Sequence, residues 1–275
     1  MSNIICGIDQ LTSSTWFAYN KLNGDICFLT NFRNPANQVE NKNYGSRGHL
    51  VIEYVKINDA SIQNKKFKSE SDYEKNLFTI VTRGFNIVYG NVFSRKFKYF
   101  QYKNTDERLM KESIDLEAGK IYGLSNGGLD QWDKVIRGKQ LFEEISEQAE
   151  IELVRSQDND KQEIIQEKMQ ILSKDLIQLM KNDTKSHWGS VQSGTGYPKI
   201  WEFINSSIFA CNNLANFCTV STSIFILHKS NQACFLEQRY RHNSAFLSKL
   251  GSSLNICRPR YDVATEVYEV FESKQ

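Results

Sequence analysis

Proline is scarce, with 3 in 275 residues, and glycine is modest at 15. These two shortages exclude collagen-like, proline-rich and glycine–serine linker architectures. Neither sign of charge dominates: 34 Lys and Arg against 32 Asp and Glu leave a formal net charge of +2. Bulk charge therefore gives no ground for a nucleic-acid partner. A transmembrane helix needs roughly 18 consecutive apolar residues, and uninterrupted stretches such as Ile224–Leu227 fall far short, so no spanning segment is expected. The six cysteines (Cys6, Cys27, Cys211, Cys218, Cys234 and Cys257) show no Cys-x-x-Cys spacing and no zinc-finger pairing with histidine. They are expected as reduced, core-packing thiols of an intracellular protein. The amino end, Met1 to Gly7, has no charged and apolar regions of a secretory leader, and Glu272 to Gln275 carries no lipidation signal. P-loop, Gly-x-Gly-x-x-Gly, Gly-x-Ser-x-Gly and His-Glu-x-x-His motifs are all missing, and His49, His187, His228 and His242 stand singly. No catalytic residue, metal-ligand set or cofactor follows from the residues.

What is present is enough apolar sequence for a core: 40% hydrophobic against 24% charged residues. Asn23-Gly24 lies between Trp16–Tyr19 and Ile26–Leu29, a strong hairpin signal because both turn residues tolerate positive φ. Asn34 to Tyr44 is polar and carries Pro35, which predicts a surface loop. Ser46 is a candidate N-cap for a short helix with Leu50, Val51, Tyr54 and Val55 on one face. A second short helix is expected after the polar span Asp59 to Glu70, and then a strand, Phe85–Tyr89, paired with Lys98–Tyr102. Leu141, Ile145, Ala149 and Leu153 recur every four residues, and Ile165, Met169, Leu172, Leu176 and Leu179 alternate four and three. The spacing predicts two helices forming a helical hairpin at about 138–181, covering a sheet. Ser223–His228 and Ala233–Glu237 predict a second hairpin, and Glu266–Val270 a last strand. Strands, then helices, then strands, without a βαβ rhythm, argue for an α+β fold in a single domain, 1–275.

Polar residues at strand ends and beside glycines are the candidate site. Thr30, Asn31 and Arg33 follow a buried strand, and Ser125 and Asn126 sit in a bend before Gly127-Gly128. Such amides, hydroxyls and guanidinium groups line ligand pockets, or else hydrogen-bond the turns that hold them. Thr30, Asn31, Ser125 and Asn126 are expected to converge at one end of the sheet. The cluster Arg95-Lys96-Phe97-Lys98-Tyr99-Phe100 interleaves cations and aromatics, and is read as one strand rather than a nucleic-acid surface.

Several strings in order carry a family likeness. They are Cys6-Gly7-Ile8-Asp9, Ser14-Thr15-Trp16, Leu29-Thr30-Asn31-Phe32-Arg33, Ser46-Arg47-Gly48-His49-Leu50-Val51 and Gly84-Phe85-Asn86. Ile121 to Asn126, Trp132 to Val135, Gly138-Lys139, Thr219, Ser221-Thr222, Glu237 to Arg239 and Tyr268-Glu269 follow. With these the chain resembles the transport and Golgi organisation protein 2, or Asn-Arg-Asp-Glu, family. The resemblance implies layered antiparallel sheets with covering helices, similar to amino-terminal-nucleophile hydrolases. It also implies a role in secretory transport and Golgi organisation, with links to haem and lipid handling. The expected location is cytoplasmic, in association with the Golgi or the mitochondrion. Family members open with Met-Cys and an Asn-Arg-Asp-Glu tetrad, and this sequence begins at what resembles the following segment. Missing opening strands are therefore expected, with an open sheet edge near Trp16 and Phe28; Ser2 does not replace the leading cysteine. His49, Cys218 and Val220 also depart from the family pattern.

Three readings follow. The first is a non-catalytic transport or trafficking protein with a small hydrophobic ligand, such as haem or an acyl group. An amide hydrolase of the amino-terminal-nucleophile type is the second. The third is an interaction protein that docks through its helical hairpin; a buried stripe on that hairpin favours either of the other two.

Overall fold

The computed structural model describes residues 3–9, 13–33, 46–104, 109–155, 162–212, 217–242 and 261–272. The expected loop at 34–44 and Cys257 lie outside these residues. Two compact units are present: Met1–Gln131 with Gly194–Gly196 and Ser273–Gln275, and Trp132–Ser193 with Tyr197–Glu272. Each is α+β, with antiparallel sheet.

The first unit is a six-stranded antiparallel sheet in sequence order. Its strands are β1 (Ile4–Cys6), β2 (Phe17–Asn20), β3 (Asp25–Asn31), β4 (Phe85–Asn91), β5 (Lys96–Asn104) and β6 (Leu109–Leu116). The β2–β3 hairpin turns at Gly24, whose φ of +76° suits glycine. A Cβ there would also lie 2.5 Å from the Phe93 ring. The β4–β5 pairing is as expected, with Phe85 opposite Tyr102 and Tyr89 opposite Lys98. Of the basic–aromatic string, Arg95 lies in the turn and Lys96 to Phe100 lie in β5, where Lys98 pairs with Glu74 at 2.5 Å and Phe100 is buried.

Two helices, α1 (His49–Lys56) and α2 (Glu70–Thr79), supply apolar residues to the core on one sheet face. Leu50, Val51, Tyr54 and Val55 of α1 are all buried, with Tyr73 and Leu77 of α2, against Cys27, Leu29, Ile87 and Phe100 of the sheet. Three phenol rings form the middle of this core: Tyr54 lies 5.1 Å from both Tyr73 and Tyr89, and those two are 5.5 Å apart. The α1 N-cap is Gly48, not Ser46. The chain turns one residue pair later because Gly48 lies against Ser14 and the Thr15 carbonyl, where a Cβ would come within 2.7 Å of that carbonyl. Ser46 instead accepts from the Gly48 N–H at 3.4 Å and meets the Ser14 hydroxyl at 3.0 Å. At the other end of α1, buried Asn20 donates to the Val55 carbonyl at 3.0 Å and to Asp59 at 2.9 Å. This amide fastens the helix end to the sheet and satisfies an orphan helix carbonyl.

The expected open edge near Trp16 and Phe28 is displaced. One edge strand of the sheet is β1, whose residues Ile4–Cys6 pair with Ala18–Asn20, so Phe28 on β3 is an interior position. Trp16, just before β2, is 43% exposed.

The second unit holds α3 (Asp133–Arg155), α4 (Gln162–Met180), α5 (Lys199–Ile204), a ladder of β7 (Cys211–Asn212) and β8 (Phe217–Cys218), and a sheet of β9 (Ser221–Leu227), β10 (Gln232–His242) and β11 (Tyr261–Glu272). The sheet order is β11-β10-β9, all antiparallel. Helix α4 packs on it through Leu176 and Ile177, which join Ile224 and Leu236 in a buried cluster with Ile145 and Leu172 beside them. Leu172 and Leu176 of the α4 stripe, with Ile145 of α3, are therefore turned into their own unit. Within the first unit, the helices packed on the six-stranded sheet are α1 and α2.

Candidate functional site

Register brings the candidate residues together. On β3 and β4, Thr30 stands opposite Asn86, and on β5 Gln101 stands opposite Asn86 in turn. The three side chains form a polar row on the sheet face turned away from the α1–α2 core, since alternate residues of a strand face opposite sides. The segment after β6, Tyr122 to Gln131, folds onto this row. Thr30 Oγ1 donates to the Ser125 carbonyl at 2.7 Å. Asn86 Nδ2 donates to the Gly127 carbonyl at 2.8 Å and to Thr30 Oγ1 at 3.1 Å. Its Oδ1 accepts from the Tyr99 hydroxyl at 2.8 Å and from Gln101 Nε2 at 3.1 Å.

The loop's other contacts extend the same arrangement. Asn126 Nδ2 donates to the Asn31 carbonyl at 2.9 Å, and the Arg33 N–H donates to the Asn126 carbonyl at 2.7 Å. Within the loop, Asp130 accepts from the Gly123 N–H at 2.7 Å while its own N–H returns to the Gly123 carbonyl at 2.8 Å. The Gly84 carbonyl, at the start of β4, accepts from both the Phe32 N–H and Arg47 Nη1. Burial, with Arg83 nearby, lowers the Arg47 guanidinium to about 10.

All five candidates thus meet at one sheet end, and Asn86, Tyr99, Gln101 and Arg47 complete the group. Asn86 is wholly buried. Its position as a lone amide inside Phe85–Tyr89 was the available signal in the sequence. Chemically the group is a hydrogen-bond network in which Thr30, Asn86, Asn126 and Arg47 donate to backbone carbonyls while Tyr99 and Gln101 donate to Asn86 Oδ1. Burial pushes the Tyr99 phenol above its ordinary value, so it stays a neutral donor. Asn31 Oδ1 is a buried acceptor with no hydrogen-bond partner. Ser125 enters through its carbonyl. Among the described residues, no group of three or more His, Cys, Asp or Glu is placed to hold a metal ion.

Each unit also has a cleft of its own. In the first, a polar cleft of about 780 Å³ is lined by Asp25, Tyr54, Glu70, Glu74, Tyr89 and Lys98 among others. Burial raises Asp25 and Glu70 there, and Glu74 accepts from the Tyr89 hydroxyl at 3.0 Å and from Lys98. In the second unit, a cleft of about 230 Å³ opens between α3, α4 and β9. Its walls are Ile145, Ala149, Ile165, Met169, Leu172 and Ile226, with Lys168, Asp175 and His228 also lining it. Elsewhere, burial raises the thiols of Cys6, Cys27 and Cys234, which disfavours the nucleophilic thiolate at each.

Comparison with known proteins places these features in a wider group. A family model described as Transport and Golgi organisation 2 matches residues 1–242. A mouse protein named Transport and Golgi organization 2 homolog is 24% identical over 241 residues, covering 86% of this chain and 77% of its own.

Proposed function

The chain belongs to the Transport and Golgi organisation 2 family, and from that membership we propose that it acts in Golgi-related transport as a binding protein rather than a catalyst. The ligand class is a small hydrophobic molecule, haem or an acyl group, held in the α3–α4–β9 cleft. The observation that carries this reading is the lining of that cleft by eight apolar side chains with polar groups beside them, the usual make-up of a small-molecule pocket. The polar group around Asn86 supports the non-catalytic half: its donors are engaged with backbone carbonyls and with one another. Thr30, Asn31, Arg33, Ser125 and Asn126 are kept as a separate ligand-binding candidate within the first unit, where Asn31 Oδ1 is the buried acceptor without a hydrogen-bond partner.

The same proposal takes the fold as related to the amino-terminal-nucleophile hydrolases. Antiparallel sheets with helices on a sheet face support it. It places the protein in the cytoplasm, associated with the Golgi or the mitochondrion. No helix among the described residues is long and apolar enough to cross a membrane.

The test is equilibrium binding of a fluorescent fatty acid and of haem to the purified chain. Saturable one-to-one binding, lost in Ile165→Trp with an unchanged circular dichroism spectrum, is the expected result. Absence of saturable binding for both probes, or binding untouched by that substitution, overturns the cleft assignment. Release of free acid from an amide substrate by the same preparation supports the hydrolase instead.

A further inference from the structure

Cys211 and Cys218 face each other directly across the β7–β8 ladder, with sulfurs 3.2 Å apart. The ladder puts this pair where side chains approach closest. The Thr219 N–H donates to the Ala210 carbonyl at 2.8 Å and the Ala210 N–H to Thr219 Oγ1 at 3.1 Å, so the bonds flanking the cysteine pair fall at 210 and 219. Pairs alternate along an antiparallel ladder, so 211 and 218 occupy a non-hydrogen-bonded position, where opposed Cα atoms lie about 4.5 Å apart instead of about 5.5 Å. That separation falls within the range a disulfide accepts, and the sulfurs need to close by only about 1.1 Å to reach bonding distance.

The two thiols differ in access. Cys211 is 2% exposed, whereas Cys218 is half-buried and reaches solvent. A reagent from solution therefore meets Cys218 first, and Cys211 stands behind it as the second sulfur. Cys27 and Cys234 are buried with raised thiols and lack this arrangement of one accessible sulfur backed by another.

We propose that Cys211 and Cys218 are a reversible redox site, a dithiol that glutathione disulfide converts into an intramolecular disulfide. The Cys218 sulfur, having given up its proton, attacks one sulfur of glutathione disulfide. A mixed disulfide forms and one glutathione thiolate leaves, taking up that proton. The Cys211 thiol then loses its proton as its sulfur attacks Sγ of Cys218; the mixed disulfide breaks and the second glutathione leaves, protonated in turn. Two protein thiols are oxidised and one glutathione disulfide is reduced to two glutathiones. Excess glutathione reverses both steps. The oxidised form ties β7 to β8 covalently where each strand contributes two residues, so the pairing of these two strands no longer rests on hydrogen bonds alone.

The full chain, reduced and then incubated with glutathione disulfide at graded ratios, is alkylated, digested with trypsin and mapped by mass spectrometry. Lys199 and Lys229 bound a single peptide, residues 200–229, that carries both cysteines. The expected product is that peptide unalkylated and two hydrogens lighter than its reduced form, appearing in the native protein and disappearing when glutathione is restored. Early acid quenching should trap glutathione on Cys218 before the light peptide accumulates, and Cys211→Ser should hold that adduct permanently. Both cysteines remaining open to alkylation overturns the site. So does a stable adduct on wild-type Cys218, or a product in which two chains are cross-linked. The mapping of the wild-type chain decides the matter even where the serine variant does not fold.

Discussion

The Thr30 hydroxyl and the Ser125 carbonyl, 95 residues apart in the chain, are joined by a 2.7 Å hydrogen bond. That bond, with those from Asn86, docks the Tyr122–Gln131 segment on a strand end laid down far earlier in the sequence. Polar side chains here replace the apolar contacts that usually hold a loop, and each serves a carbonyl that would otherwise be buried without a donor.

Asn86→Ala should therefore be costly. It removes the donor to the Gly127 carbonyl and leaves Tyr99 and Gln101 without their shared acceptor. A loss of about 3 kcal/mol is expected, since each buried group left unsatisfied costs about 1–3 kcal/mol. Urea unfolding measures it as a lower midpoint at unchanged slope. A loss below about 1 kcal/mol would show that the loop is held by something else.

Asp59 links stability to acid pH. Burial opposes its charge, but hydrogen bonds from Ser61 and Asn20 outweigh that and hold the carboxyl below its ordinary value. The folded value lies below the unfolded one, so the contribution is present above the unfolded value, about 3.9, and drains as pH falls through the folded value. The gap in melting temperature between wild type and Asp59→Asn should be widest near neutrality and shrink in acid. A gap that stays constant with pH contradicts the assignment.

Gly24→Ala tests the turn. A left-handed φ costs a residue with a Cβ about 1–2 kcal/mol, and the Phe93 ring, 2.5 Å from where the new methyl would sit, adds a clash. In a Phe93→Leu background the clash is relieved and the conformational part remains. The alanine change should thus cost less in that background, though not zero, by thermal or urea unfolding.

The α4 face should show a sharp contrast around the helix. Ile177 is 3% exposed and joins the cluster on β9 and β10, whereas Ile171 is 49% exposed. Ile177→Ala is expected to cost about 2–4 kcal/mol, and Ile171→Ala to stay within about 0.5 kcal/mol. Equal losses at the two positions would mean the helix is rotated about its axis.

Much of this was legible in the sequence where a local rule dominates. Asn23-Gly24 marked the first hairpin, and the stripes of α1 and α4 marked buried helix faces. Thr30, Ser125 and Asn126 could be grouped because strand ends and glycine bends gather at the rims of sheets. The short β1, β7 and β8 and the helix α5 were missed, since two to six residues carry too little pattern. Strand β6 was missed for a different reason: Lys111, Glu112 and Asp115 give it the charged character of an edge strand. Asn86, Tyr99 and Gln101 escaped because register, a property of paired strands, creates their row. Nothing within Phe85–Tyr89 or Lys98–Tyr102 alone says that one amide will face another. The N-cap moved from Ser46 to Gly48 for a similar reason, as the close approach of Ser14 and Thr15 is a tertiary fact.

The ring cluster of Tyr54, Tyr73 and Tyr89 has an optical consequence. Burial comes first among the causes that raise all three phenols above their ordinary value, and neighbouring groups add to it. In strong alkali these rings can become tyrosinate only when the core around them parts. The near-ultraviolet band of tyrosinate should then grow in two phases, at once for accessible tyrosines and slowly for this cluster. The slow phase is a clock for the opening of the first unit, read without a label.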